Sequence, residues 1–283
     1  NKCLVEETDQ LPTTACFFSP IDCLRPDSLS SEKCSLIVQT KLAEACRLLD
    51  WDESSLKFHP VVLSFFACVI GWEQLLISRH EIKHEHLSLF FVDTAGCCSA
   101  LYAAGVVTFA QGLRLAVLCE ELEMHMQKIG CSVRVFGLKE ETVQQYCNEA
   151  ERAVGLSGGC QISKYMCPLA FHVACSFDAA QCFWNICEKD DSAPILSPDP
   201  TPIHSALIEQ LMPEIAAKVE SVLIGAQSPQ HSVWFPHSVA PLRPGCVSNE
   251  ITSAIVQFYN SVNMFHQTVH AAVEQDGIAK CYE

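Results

Sequence analysis

The segment from Leu87 to Gly105 constrains the fold of this chain most strongly. Leu87–Val92 is an unbroken run of strand length, apolar at nearly every position, and Gly96–Gly105 is rich in small residues and predicts a helix. A strand that turns sharply into a helix can present a catalytic serine at the turn, flanked by glycines. Here the nucleophile position holds Thr94 and the first glycine position holds Val92. The sequence therefore predicts the scaffold of a catalytic turn with an altered centre.

Composition excludes several other classes of protein. A chain of 283 residues can bury one large core, or one core and a smaller inserted domain. The net charge of −15 argues against a nucleic-acid-binding surface, and we expect most of the dispersed acidic residues on a solvated face. The longest apolar run, Val61–Trp72, is shorter than a bilayer span and predicts a buried helix. No signal-like segment opens the printed sequence, so we expect no membrane contact, although Asn1 is compatible with a processed start.

The eighteen cysteines predict core packing in a reducing compartment. The sequence has no Cys-x-x-Cys and no cysteine pair at zinc-finger spacing from a histidine pair, so we expect no metal site. Free cysteine behaves as a small apolar residue. Six cysteines at apolar positions of helical or strand patterns illustrate this: Cys68, Cys119, Cys147, Cys175, Cys182 and Cys187.

The predicted elements divide the chain into two units. Residues 1–129 and 198–283 alternate strands and helices and predict a discontinuous α/β core of the α/β-hydrolase type. Residues 130–197 follow the order β-α-β-β-α-β, which is typical of a ferredoxin-like domain. Thr108 and Gln111 form a predicted capping box that begins a long amphipathic helix. The fold class predicted is therefore an α/β core with an inserted ferredoxin-like domain.

Several segments resemble the acyltransferase domain family typified by malonyl-CoA:acyl-carrier-protein transacylase, over about residues 14 to 283. The matching segments are His59–Leu63, Ser99–Phe109, Leu113–Leu115, Pro202–Leu207 and Gln257–Val262. The resemblance implies an acyltransferase core and a two-step reaction in which an elbow serine takes an acyl group from coenzyme A, with a histidine as base. The acyl group then passes to the phosphopantetheine thiol of an acyl carrier protein. It implies no cofactor, because the CoA thioester and phosphopantetheine are substrates.

The resemblance assigns the site residues one by one. The family's Gly-His-Ser-Leu-Gly becomes Val92–Gly96, so Thr94 takes the nucleophile position, and Ala95 follows it. His204 takes the position of the base. Cys119 replaces the arginine that pairs with a malonyl carboxylate, and a thiol cannot form that bidentate pair. Met166 replaces part of an asparagine-rich segment that lines the cleft. The turn expected to supply an oxyanion donor, residues 17–22, has no glycine.

These departures favour a non-catalytic member of the family. The sequence-based hypothesis is a scaffold or assembly subunit of a larger complex, with acyl carrier protein as a candidate partner. The bacterial-type, free-standing layout favours mitochondria, with the cytoplasm as the alternative. Because carrier proteins are acidic, docking would need a basic patch, for which the candidates are Lys128, Lys139, Arg152 and Lys164.

Two catalytic alternatives remain at this stage. In the first, the chain is an active acyltransferase that moves an acyl group from CoA to acyl carrier protein through Thr94 and His204. Thr94 keeps a hydroxyl, but its branched Cβ crowds the path of attack. In the second, Cys97 or Cys98 takes over as nucleophile, because a helix N-terminus lowers a thiol pKa.

Overall fold

The computed structural model describes residues 13–18, 32–55, 58–79 and 87–282, with side chains in the first helix from Leu36 onward. The strands are β1 Thr13–Phe18, β2 Leu87–Phe91, β3 Cys131–Phe136, β4 Cys160–Cys167, β5 Ala170–Cys175, β6 Ile195–Asp199, β7 Ser232–Phe235, β8 Ala240–Leu242 and β9 Ile278–Tyr282. The helices are α1 Glu32–Leu49, α2 Pro60–Ser78, α3 Thr94–Ala103, α4 Phe109–Met126, α5 Glu140–Val154, α6 Phe177–Cys187, α7 Met212–Val222, α8 Ser248–Asn260 and α9 Phe265–Asp276. A 3-10 turn over Ala206–Leu211 precedes α7.

The larger sheet has the strand order β8-β7-β2-β1-β9. β1, β2, β7 and β9 are parallel, and β8 folds back antiparallel to β7. Phe18 lies opposite Phe91, so β1 and β2 end at the same edge of the sheet. α/β proteins place their sites at this carboxyl edge, and the turn into α3 lies there. The predicted α/β core is confirmed.

The smaller sheet is antiparallel, with the order β4-β5-β3-β6. Its core of valines, cysteines and Phe171 packs against α5 and α6. This order, with two helices packed on the sheet, is the predicted ferredoxin-like arrangement. β6 runs to Asp199, which pairs with Ser132, so the sheet extends past the predicted limit at residue 197. The bounds of the two domains remain predictions.

α2 is apolar almost all round because it lies inside the larger core. Val62, Phe65 and Val69 are fully buried. By length and composition alone α2 could cross a membrane, and it is the one helix in the described part of the chain that meets this test. Glu120 of α4 contacts the first turn of α2, where its Oε2 accepts a hydrogen bond from Val62 N at 3.4 Å. A carboxylate is stabilised at a helix N-terminus, where N–H groups lack helical partners.

A buried carboxylate joins three elements of the larger domain. Asp276, at the end of α9, accepts hydrogen bonds from Ser88 Oγ at 2.5 Å, Trp234 Nε1 at 2.9 Å and Arg243 Nη2 at 3.1 Å. Its side chain is 8% exposed, so the donors that it serves are largely shielded from water.

We expect Asp276→Ala to lower the free energy of unfolding by about 1–3 kcal/mol, because it leaves the buried Trp234 and Ser88 donors without an acceptor. Urea denaturation followed by tryptophan fluorescence measures the change. The matched control is Asp191→Ala, at an exposed carboxylate, which we expect to change stability by less than about 0.5 kcal/mol. Equal stability of the two variants would contradict the assignment.

Candidate functional site

The elbow is formed by Val92 and Asp93, the two residues between β2 and α3, and leads directly into Thr94. Asp93 has extended backbone and caps α3, because its Oδ1 accepts a hydrogen bond from Gly96 N at 2.7 Å. An aspartate at this position satisfies one of the free N–H groups of the first helical turn. Thr94 is therefore the first residue of α3, at the apex of the turn. The predicted strand–turn–helix is present.

Gly96 is the one glycine of the family motif that the sequence retains, and the structure gives a physical reason for it. A Cβ at this position would lie 2.5 Å from the Phe18 carbonyl oxygen and 3.1 Å from Phe91 Cβ. The end of β1 thus passes directly against the first turn of α3. Only glycine allows this approach.

The Thr94 hydroxyl has a partner that sequence reasoning missed. Thr94 Oγ1 donates a hydrogen bond to Glu123 Oε1 at 2.5 Å. Glu123 lies on α4, one turn after Cys119, and therefore on the same side of that helix. The pKa of Glu123 is raised to about 7: burial is the largest cause and the nearby Asp93 acts in the same direction, while the hydrogen bond from Thr94 and the charge of Lys164 act in the opposite direction. The Thr94 hydroxyl is thus hydrogen-bonded to a carboxyl group, that of Glu123, whose pKa lies near neutrality.

Charged side chains of the smaller sheet act on this pair. Lys164 on β4 is buried, and its charge acts on Asp93, Glu123 and Asp199. Burial alone would raise the pKa of Asp199, but Lys164 and Arg134 lower it below its ordinary value. Arg134 Nη2 lies 2.9 Å from Asp199 Oδ2. Charged groups of the smaller sheet therefore contribute to the electrostatics of the elbow.

Asn263 joins the smaller sheet to the elbow. Its backbone exchanges hydrogen bonds with β4, accepting from Tyr165 N at 2.7 Å and donating to Ser163 O at 2.8 Å. Its side-chain Nδ2 donates to Val92 O at 3.3 Å. The side chain is fully buried. Asn263 directly follows Gln257–Val262, a segment that carried the resemblance, and an amide at that place is the signal that could have identified it.

His204 is buried and does not bind Thr94. Its φ is +64°, in the left-handed region, and the ring packs edge-on against Phe258 at 4.7 Å between ring centres. Neither ring nitrogen has a hydrogen bond to any residue in the described ranges. Burial lowers the pKa of His204 well below its ordinary value, so the ring is neutral. The hydrogen-bonded Thr94–His204 pair of the active alternative is not formed in this structure.

Cys119 lies in the core and not at the cleft surface. Its sulfur is 2.7 Å from Tyr259 Oη and 3.8 Å from Cys98 Sγ. The thiols of Cys97 and Cys98 are also buried, and burial raises both of their pKa values well above the ordinary value. This is the opposite of what thiolate catalysis needs. The structure therefore contradicts the cysteine alternative.

The other predicted site residues have less specific surroundings. Ala95 is buried in the first turn of α3, and Met166 is half-buried on β4. In residues 17–22, Ser19 and the positions after it lie outside the described residues, so the oxyanion turn stays a prediction. The fifteen cysteines whose side chains the structure describes are all free. Of the six core candidates, four are buried, whereas Cys68 and Cys182 are half-buried.

The candidate basic residues do not form one surface. Lys139 lies at the start of α5 and Arg152 in its last turn, so the length of the helix, about 20 Å, separates them. Lys164 is buried. Lys128 follows the end of α4. The expected basic patch for an acidic carrier protein is therefore not made by these four.

The chain is similar to known proteins in its structure and not detectably in its sequence. No sequence family and no curated protein matches the chain. An acyl carrier protein S-malonyltransferase from Vibrio cholerae is 20% identical with a TM-score of 0.75, covering 95% of this chain and 88% of that one. The fold is that of the malonyl-CoA:acyl-carrier-protein transacylases.

Further structures with the transacylase fold support the same conclusion. The acyl-carrier-protein S-malonyltransferase of Burkholderia pseudomallei is 17% identical with a TM-score of 0.74, covering 95% of this chain and 88% of that one. A malonyl transacylase solved in complex with its type II polyketide synthase acyl carrier protein is 18% identical with a TM-score of 0.75, covering 95% and 87%. The predicted resemblance is confirmed at the level of the fold.

Within the described residues, no group of three or more histidine, cysteine, aspartate or glutamate side chains could hold a metal ion. The Thr94 hydroxyl and the Glu123 carboxyl beside it form a hydrogen-bonded pair at the elbow that can carry chemistry.

Proposed function

We propose that this chain is an acyltransferase that takes an acyl group from a coenzyme A thioester onto Thr94 and passes it to a carrier-bound thiol. The observation that carries the proposal is the position of the Thr94 hydroxyl, at the first residue of α3 on the carboxyl edge of the sheet. A hydroxyl at such a turn can form an ester intermediate when a base lies within hydrogen-bonding distance. The transacylases that share the fold are named for malonyl transfer to acyl carrier proteins.

Radiolabelled malonyl-CoA and acetyl-CoA test this function in separate incubations. We expect label to become covalently attached to the wild-type protein and to be absent from Thr94→Ala. Thr94→Ser is the matched variant that keeps the hydroxyl and removes the methyl group that crowds Cβ, so it should be labelled at least as fast as the wild type. Label that persists in Thr94→Ala would place the acyl group elsewhere and contradict the proposal.

A second candidate function is the non-catalytic scaffold or assembly subunit, in a mitochondrial complex with acyl carrier protein as a candidate partner. Two observations favour it: Thr94 is only 4% exposed, and His204 is sealed in the core. In that case no label attaches to the wild-type protein under any condition. Co-elution of purified holo acyl carrier protein with the unlabelled chain on a sizing column would then support the scaffold.

A further inference from the structure

We propose that Glu123, and not His204, is the general base for Thr94. This inference rests on the acyl transfer proposed above and names the residue that activates its nucleophile. The resemblance does not identify this carboxyl. It identifies on α4 only the position of the arginine that pairs with the acyl group, and that position holds Cys119 here.

The geometry meets the requirement for a nucleophile and its base. Thr94 Oγ1 is the donor and Glu123 Oε1 the acceptor at 2.5 Å, so the hydroxyl proton already points at the carboxylate oxygen. A general base must lie within about 2.6–3.2 Å of the oxygen whose proton it takes, or closer when the bond is charge-assisted. Glu123 is half-buried, and it is held in place because α4 packs directly against α3.

The charges around Glu123 keep both of its protonation states accessible. Asp93, from the cap of α3, and Asp199, from β6, disfavour its ionised form. Lys164, from β4, and the Thr94 hydroxyl favour the ionised form. Burial is the largest cause of the raised pKa, and together with these charges it places the pKa near the working range of a base that must both take and return a proton.

The first half-reaction balances without any other reactant. Thr94 Oγ1 bonds to the thioester carbonyl carbon while its proton moves to Glu123 Oε1. The C–S bond then breaks, and the departing thiolate of coenzyme A takes that proton. The products are the Thr94 ester, the free thiol and an ionised Glu123.

The second half-reaction is the reverse with a different thiol. A phosphopantetheine thiol gives its proton to Glu123, and its sulfur attacks the ester carbonyl. The Thr94 oxygen leaves and recovers the proton from Glu123. The enzyme returns to its starting state.

The test measures the single-turnover rate at which Thr94 is acylated by radiolabelled malonyl-CoA or acetyl-CoA. We expect Glu123→Gln to slow acylation by about 10²–10⁴-fold, because the amide accepts the hydrogen bond but cannot take the proton. Glu123→Asp keeps the carboxylate and should recover part of the rate. The matched control is Glu121→Gln, the same change on the same helix at a side chain that is 53% exposed, and it should leave the rate unchanged.

The pH profile separates a base from a residue that only supports the structure. We expect the wild-type rate to rise with pH through about 7, because Glu123 must be ionised to accept the proton. The rate of Glu123→Gln should lose this rise. Thermal unfolding and far-UV circular dichroism of each variant confirm that slow acylation does not reflect misfolding.

The possible results are distinct. Labelled wild type with an unchanged Glu123→Gln rate overturns the role of Glu123 and leaves the proposed acyl transfer in place. A second result would also overturn the inference: His204→Gln loses as much acylation rate as Glu123→Gln, and Glu123→Gln keeps the pH dependence of the wild type. In that case the base is His204. A wild type that carries no label overturns both proposals.

Discussion

Replacing Gly96 with alanine is expected to destabilise the protein by about 1–3 kcal/mol or more, since an added Cβ would lie 2.5 Å from the Phe18 carbonyl oxygen. The atom in the way belongs to the backbone of β1, so no side-chain rotation relieves the clash. β1 would have to move away from α3, which disturbs the pairing of Phe18 with Phe91. Chemical denaturation monitored by circular dichroism measures the loss.

The chain provides a control for Gly96 in which the same substitution has the opposite effect. Gly71 lies within α2, is exposed, and leaves open space for a Cβ, with nothing within 4 Å of where that atom would lie. Alanine there should stabilise the protein by about 0.5–1 kcal/mol, because glycine loses more backbone freedom in a helix. If both variants were destabilised equally, the close approach at Gly96 would not explain its effect.

Replacing Cys119 with the arginine that the resemblance assigns to this position is expected to destabilise the fold by at least about 3 kcal/mol and not to create a carboxylate-binding site. Cys119 is 2% exposed and its sulfur lies 2.7 Å from Tyr259 Oη. The Tyr259 hydroxyl and the Cys98 sulfur lie directly against the Cys119 sulfur and leave little room for a longer side chain. Removing a cation from water is costly, and a side chain as long as arginine would strongly overfill this core, so both effects oppose folding.

Met124→Arg is the control for Cys119→Arg. It places the same side chain on the same helix at a position that is 51% exposed, so its effect should stay within about 0.5 kcal/mol. Thermal unfolding compares the two. A Cys119→Arg variant as stable as the wild type would show that the core at α4 can open to admit a long cation.

The sequence was sufficient for the framework of the molecule. The buried helix predicted from the apolar run Val61–Trp72 is present as α2, Pro60–Ser78, because its apolar residues run between a proline and a charged segment. The capping box at Thr108 and Gln111 is formed, since both of its hydrogen bonds depend only on local spacing. β8 could not be predicted from the sequence, because prolines and a glycine lie in and around it and its pairing with β7 is a tertiary contact.

The site was predicted less completely, for a different physical reason. Glu123 belongs to a helix that carries other acidic residues, and no local pattern distinguishes the one that meets the elbow. The environment of Thr94 depends on contacts across 29 positions of the chain. The position of His204 follows from the resemblance. Its surroundings do not: the ring packs against Phe258, and neither ring nitrogen has a hydrogen-bonding partner among the described residues.

The backbone and side chain of Asn263 have a mechanical consequence. Two of its hydrogen bonds hold β4, and the third holds the Val92 carbonyl one residue before the cap of α3. A hinge motion that lifted the smaller sheet would therefore pull on the elbow itself, unless it first broke those bonds. Separation of the two sheets and a change in the turn at Thr94 are then one movement. A ligand large enough to separate the sheets would therefore also change the position of the Thr94 hydroxyl.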